Sequence, residues 1–293
     1  MAKGKIIKAL SGYYYVKNED GLFQCRARGN FRKRKIKPLV GDEVEFEAEN
    51  RTDGYILDVS ERKNELVRPP IANIDQAILV FSALEPDFSL LLLDRFLVHI
   101  EANAIKPLLV ISKVDLVDEE LFVSLHTYKS LYESIGYTVL FTSTNEKSDI
   151  NDLKPFIEGK MSVVAGQSGV GKSSLLNILD PNLDIETNEI SSHLGRGKHT
   201  TRHVELLPIA GGLVADTPGF SSLDFVDILP EELSLYFLEM KELSTECKFR
   251  GCTHSSEPHC AVKKAYEKGE IAQSRFEHYL QFLEEIKNQK KRY

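Results

Sequence analysis

Gly166-Gln167-Ser168-Gly169-Val170-Gly171-Lys172-Ser173 is the stretch whose reading decides the fold of this chain. An apolar run, Met161 to Ala165, precedes it, and Ser174-Leu175-Leu176-Asn177-Ile178-Leu179 follows as a helical pattern. Strand, glycine-rich loop and helix form the setting in which G-x-x-x-x-G-K-S/T makes a phosphate cradle. The glycines let backbone N–H groups turn inward, and the helix N-terminus adds positive potential. Lys172 is placed to reach β- and γ-phosphates, and the Ser173 hydroxyl to help hold Mg²⁺. Val164 and Ala165 flank the cradle on the strand side, Ser174 on the helix side. The spacing therefore implies a nucleoside triphosphate as ligand.

Two more stretches gain meaning from this loop. Asp216-Thr217-Pro218-Gly219 follows an apolar run, as does the Asp that holds the Mg²⁺ shell in P-loop enzymes; Gly219 would bring its amide to the γ-phosphate. Between them lies a polar, glycine-containing segment with Thr200 and Thr201, either of which could complete the metal shell when triphosphate orders it. Upstream, Ser112-Lys113-Val114-Asp115 resembles the guanine-recognition motif of translation-factor-type GTPases. Its Asp carboxylate would accept from the guanine N1–H and amine, a pair that adenine lacks, so Asp115 would select GTP over ATP. The Lys113 stem would cover the purine, and Ser143 resembles the small residue whose backbone meets guanine O6. Ser112 stands where Asn or Thr is usual, so a tether from this motif to the phosphate loop is expected to be shorter or absent. The guanine motif comes before the phosphate loop, the reverse of ordinary GTPases, which implies a circularly permuted sheet.

Apolar runs at Gln76–Phe81, Lys106–Ile111, Thr138–Phe141, Met161–Ala165, Val204–Pro208 and Gly212–Ala215 predict strands, and Phe88–Ala102 and Leu121–Ile135 predict helices. That alternation implies an α/β domain with a parallel sheet covered on both faces. Before it, short strands at Lys5–Leu10, Tyr13–Lys17, Leu22–Arg28, Glu43–Glu47 and Tyr55–Val59 imply a small β-barrel of the OB-fold type. Arg68-Pro69-Pro70 punctuates the boundary. After it, Pro230–Leu243 reads as a helix, and Phe276, Tyr279, Leu280, Leu283 and Ile286 mark a last one. The reading is of three domains: barrel 1–67, permuted GTPase 68–222, and a mainly α zinc-binding domain 223–293.

A hydrophobic fraction of 42% and a net charge of −7 describe an ordinary globular chain. No apolar run nears the ~20 residues that cross a bilayer, and no secretory h-region opens the sequence, so a cytoplasmic address is expected. The net charge conceals a division: residues 1–38 hold eleven Lys/Arg against two acidic residues, residues 39–67 three against nine. The cations concentrate in Arg28, Arg32, Lys33, Arg34 and Lys35 around Phe31, near Tyr13, Tyr14 and Tyr15, a composition that suits RNA. Of four cysteines, Cys25 stands alone, while Cys247-x4-Cys252-x-His254-x5-Cys260 offers a tetrahedral, structural Zn²⁺ set. His259 competes as a ligand, although its neighbour Cys260 would strain joint ligation. Lys248, Arg250, Lys263, Lys264 and the tail 287–292 are either solvated surface or a second RNA contact.

Taken together these parts resemble the RsgA (YjeQ/YloQ) family of ribosome small-subunit-dependent GTPases, over the whole chain. The chain is expected to be a monomer. The resemblance implies binding to the 30S ribosomal subunit and its 16S rRNA, action late in subunit maturation, and hydrolysis of GTP to GDP that quickens on the ribosome. It makes Cys247, Cys252, His254 and Cys260 the zinc ligands. Phe220 follows Gly219 where small GTPases place a water-orienting glutamine, and Gly197-Lys198-His199-Thr200-Thr201 matches the family's switch, which makes His199 the candidate to orient water.

Overall fold

The computed structural model describes residues 1–29, 31, 36–67, 69–143, 150–183, 204–216, 223–226 and 228–289. Strands β1 (Ala2–Leu10), β2 (Tyr13–Asn18), β3 (Gly21–Ala27), β4 (Glu43–Ala48) and β5 (Gly54–Val59) close into a barrel in the order β1-β2-β3-β5-β4. β3 and β5 run parallel, and β1 closes the ring against β4. Alternation along the strands turns Ile6, Val16, Cys25, Val44, Phe46 and Ile56 into a common core. This is the five-stranded OB arrangement. Phe31, expected among the RNA-facing residues, is instead buried with that core at 3% exposure. Its ring is withdrawn because an aromatic side chain gains more from apolar burial than the surrounding cations can offer in water.

A short hairpin, β6 (Glu65–Leu66) with β7 (Ile71–Ala72), leads from the barrel to a six-stranded sheet. Its strands are β8 (Gln76–Ser82), β9 (Lys106–Ser112), β10 (Thr138–Thr142), β11 (Met161–Ala165), β12 (Leu206–Ile209) and β13 (Gly212–Asp216), in the order β10-β9-β8-β11-β13-β12. Five strands are parallel as expected, whereas β12 is antiparallel to β13. The reversal is made by Ala210 and Gly211, both at positive φ (48° and 75°), the requirement of a two-residue hairpin turn. β1 of the barrel reaches this edge through a Lys8–Glu205 bridge, their side chains paired at 2.7 Å.

Helices cover both faces. α1 (Leu90–Ala102) and α2 (Glu119–Ile135) bury Leu93, Leu97 and Leu125 with Leu79, Leu109 and Val163, while α3 (Lys154–Ile157) and α4 (Lys172–Leu179) bury Ile157, Leu175 and Leu176 with Ile78, Val110 and Val164. Helix starts follow their caps: Ser89 Oγ accepts from Leu92 N at 3.3 Å, and Asp118 Oδ1 from Leu121 N at 2.9 Å.

The expected single helix over Pro230–Leu243 is two pieces, a 3₁₀ turn (Leu233–Tyr236) and α5 (Leu238–Ser244). Phe237 breaks it with extended backbone (φ −111°, ψ 104°) so that its ring, fully buried, meets Tyr279 edge-on at 5.4 Å. α6 (Ala261–Glu267) and α7 (Gln273–Asn288) complete the chain's described part. α7 buries Phe276, Tyr279, Phe282, Leu283 and Ile286, with Leu280 partly covered. It is joined to α1 by a buried ion network: Arg275, at 1% side-chain exposure, donates to Asp94 and Glu239, and Asp94 also accepts from Tyr132 and meets His278.

Candidate functional site

Strand register brings the distant motifs to one edge of the sheet. Thr142, Ser112 and Ser82 lie in one hydrogen-bonded row at the carboxyl ends of β10, β9 and β8, while Ala165 pairs with Leu79 and Asp216 with Val164. The phosphate loop thus leaves β11 between β8 and β13, and Ser112–Asp115 leaves β9, on the far side of β8. Ligands of open α/β sheets bind at such an edge.

Gly166 is required where the loop begins: a Cβ there (φ 147°) would lie 2.1 Å from the Val80 carbonyl. Gly171, at φ 91°, turns the chain into α4. Between them Gln167, Ser168 and Gly169 are exposed at the rim, whereas Val170 is buried and anchors the loop. Lys172 is 8% exposed, its ammonium hydrogen-bonding the Gly166 carbonyl at 2.9 Å and the Gln167 carbonyl at 2.5 Å. Ser173, 3% exposed, sits in the first turn of α4 beside half-buried Ser174. A cradle of this kind, with a cation inside and a helix N-terminus below, attracts polyphosphate.

The expectation of a shortened or missing tether at Ser112 is settled by a direct bond. Ser112 Oγ lies 2.6 Å from the Val170 carbonyl and 3.1 Å from that of Phe81. A hydroxyl has one proton, and the shorter contact takes most of it. Because a trans peptide sets N–H opposite C=O, holding the Val170 carbonyl toward Ser112 turns the Gly171 N–H the other way. Lys113 follows in the left-handed region (φ 60°), bending the chain into a 3₁₀ turn, Val114–Leu116, that leaves Asp115 exposed. The Lys113 ammonium hydrogen-bonds the Glu85 carbonyl, a partner that nothing in the motif announces. Ser143, 2% exposed, follows β10. Asp216 ends β13. His199, Thr200, Thr201 and Gly219 lie outside the described residues.

The Cys/His cluster is drawn together. The ligand atoms of Cys247, Cys252, His254 and Cys260 lie within 4.8 Å of one another. His254 Nδ1 is 3.2 Å from Cys260 Sγ and 3.6 Å from Cys247 Sγ, and the two sulfurs are 3.8 Å apart. A tetrahedron with Zn–S arms of about 2.3 Å has edges of about 3.8 Å, so the donor set fits one Zn²⁺. Burial, with the neighbouring thiols Cys260 and Cys247, pushes the Cys252 thiol up to about 12. His259, the competing ligand, is exposed and outside the cluster. Sequence reading missed Glu257. Burial alone would raise its carboxyl, yet hydrogen bonds from the Thr253 and Ser255 backbones and the Thr253 hydroxyl prevail and hold it at about 2. It thereby braces the loop that presents His254.

On the barrel, Arg28 is exposed and paired with Glu47, at a groove also lined by Arg26, Glu49, Asp53 and Tyr55. The Tyr13 ring lies 4.8 Å from the Arg26 guanidinium, and Tyr14 and Tyr15 are half-buried. Arg32, Lys33, Arg34 and Lys35 lie outside the described residues. Among the described residues, no helix is long and apolar enough to cross a membrane.

Comparison with known proteins meets this geometry directly. The profile of the RsgA GTPase domain matches residues 59–226, and that of the RsgA N-terminal domain residues 3–56. A protein of Halalkalibacterium halodurans called small ribosomal subunit biogenesis GTPase RsgA is 68% identical over 292 residues, spanning 100% of this chain and 99% of its own. Its namesake in Bacillus cytotoxicus is 66% identical, with both chains fully covered. Among solved structures, YloQ, described as a circularly permuted GTPase, superposes with a TM-score of 0.86 at 52% identity, covering 100% of this chain and 97% of that one. YjeQ from Thermotoga maritima superposes at 0.87 with 38% identity, covering 98% and 99%. With its glycine-rich loop in the middle of the sheet, Ser112–Asp115 upstream and a barrel ahead of both, the chain belongs to the RsgA family of circularly permuted GTPases.

Proposed function

We propose that this GTPase binds the 30S ribosomal subunit through 16S rRNA late in subunit maturation, and hydrolyses GTP to GDP and phosphate faster when bound. The observation that carries the nucleotide half is the Ser112–Val170 hydrogen bond, which couples the guanine motif after β9 to the phosphate loop after β11, over the end of β8. In this reading Gly166, Gln167, Ser168, Gly169, Val170 and Gly171, with Val164 and Ala165 behind them, wrap the phosphates. Lys172 neutralises them, and Asp115, Lys113, Val114 and Ser143 hold the base. Ser173, Thr201 (or Thr200) and Asp216 would hold Mg²⁺, which supplies charge neutralisation of the phosphates. Gly219 approaches the γ-phosphate and His199 orients water. Arg28, Arg32, Lys33, Arg34 and Lys35 contact rRNA phosphates, and Cys247, Cys252, His254 and Cys260 hold a structural zinc. The division at 67/68 and 222/223, a monomeric state and a cytoplasmic location belong to the same proposal. The relatives' shared name, small ribosomal subunit biogenesis GTPase, supports the ribosomal half.

Co-sedimentation with separated subunits in GDP, GTP and a non-hydrolysable analogue, alongside turnover measured with and without them, tests both halves. Retention on small subunits that is strongest with the analogue, and turnover that rises in their presence, are expected. Equal retention on both subunits, with turnover unaffected by either, would refute it. His199→Ala should abolish the stimulated rate at unchanged nucleotide affinity.

A further inference from the structure

α1 holds a main-chain carbonyl that lies between the nucleotide edge and the C-terminal helices. Arg95 Nη1 donates to the Leu223 carbonyl at 3.2 Å, and His99 follows one turn on along the same helix. Burial first, then Arg95, lowers the His99 pKa. Two residues past Leu223, Phe225, 1% exposed, stacks on His99 at 5.1 Å and 15°. The Arg95 guanidinium caps a pair of rings that pack on each other at 5.1 Å, lying 4.7 Å from Phe225 and 4.8 Å from Phe282 of α7, and forks to Glu285 at 2.8 and 2.5 Å. A planar five-donor group suits this station, since it serves a carboxylate, a carbonyl and two aromatic faces at once.

The segment gripped this way is the continuation of β13 beyond Asp216, whose own strand is fixed in the sheet. We propose that Arg95 is a positioning residue for GTP turnover: through the Leu223 carbonyl it sets where the chain leaving Asp216 is anchored, and through Glu285 it makes that anchor part of the zinc-bearing domain. The nearby Asp94–Arg275–Glu239 network holds α7 rigidly against α1. A force applied to the C-terminal domain therefore reaches Leu223 through Arg95 rather than being absorbed by sliding helices. The ribosomal consequence rests on the proposed function; the positioning role itself does not.

The test uses the full-length zinc-loaded chain in steady-state GTP hydrolysis, with and without purified small subunits. Arg95→Met keeps an apolar stem against Phe225 and Phe282 but removes every donor. It is expected to lower kcat about tenfold in both conditions while KM stays within twofold. The exchange Arg95→Glu with Glu285→Arg restores the ion pair and the melting temperature, but a carboxylate cannot donate to the Leu223 carbonyl, so kcat should stay low. A purely structural role predicts the opposite, kcat recovering with stability, and that result overturns the proposal, as does native kcat in Arg95→Met. Should Arg95→Met fail to fold, the exchange variant alone decides. If native turnover ignores the subunits, the ribosomal reading falls, and intrinsic kcat still judges Arg95.

Discussion

Replacing Ser112 by Ala removes one oxygen from a site 8% exposed and, with it, the donor to the Val170 carbonyl at 2.6 Å. The neighbouring Phe81 carbonyl cannot take its place, being itself only an acceptor. A buried carbonyl left without its partner costs about 1–3 kcal/mol. Part of that cost is relieved if the Val170–Gly171 peptide rotates, and the rotation would misdirect the Gly171 N–H. With about 1–2 kcal/mol of that cost passed on to binding, at about 1.4 kcal/mol per decade, the variant should bind GTP and GDP about 5- to 30-fold more weakly. Ser112→Thr keeps the hydroxyl and should stay within about threefold of native. Titration with a fluorescent guanine nucleotide, paired with thermal melting of the nucleotide-free chain, separates loop order from global stability. Two results would refute the reasoning. Affinity unchanged in Ser112→Ala means that other groups hold the loop, and a lowered melting temperature with native affinity means the bond serves the sheet and not the cradle.

Asp115→Asn should shift preference from GTP toward xanthosine triphosphate; competition binding that shows no shift removes the guanine assignment. Arg275→Met leaves Asp94 and Glu239 without their guanidinium in an interior where Arg275 is 1% exposed, and should destabilise by about 3–5 kcal/mol in denaturant titration. A loss below about 1 kcal/mol would mean that water reaches those carboxylates. Chelation should release one zinc per chain, lower the melting temperature and unfold α6 and α7 by hydrogen exchange before the sheet. Glu257→Gln should cost about 1 kcal/mol near neutral pH. Since the native carboxyl is held at about 2, below its ordinary value of 4.5, its contribution is complete above that ordinary value and fades as pH falls toward 2. Native and variant stability curves should accordingly converge in acid.

Local signals made the strands and helices of the sheet readable, since buried parallel strands are near-continuous apolar runs and both long helices announce their caps at Ser89 and Asp118. The site was readable at Gly166–Ser173 and in the Cys/His spacing, where chemistry constrains residue type at fixed offsets. Other features depend on packing that spacing does not record. Phe31 turns inward because the barrel has room for a ring, and Phe237 interrupts a helical pattern because Tyr279 lies across from it. The antiparallel β12 hinges on positive φ at Ala210, a residue with no preference for it. The Ser112 tether depends on the register of two strands, and Glu257 on loop amides that converge only after folding.

The Lys8–Glu205 bridge has a consequence for how the protein can be cut. β12 is the last strand of the sheet on that side, and the barrel shields its free rim at this one crossing. A fragment starting after the barrel would lose its cover at Glu205, whereas farther along the rim Pro208, with no N–H to donate, already discourages pairing with another copy. Such a truncation should self-associate only through the stretch beside Glu205, so the barrel and Pro208 guard different parts of one rim.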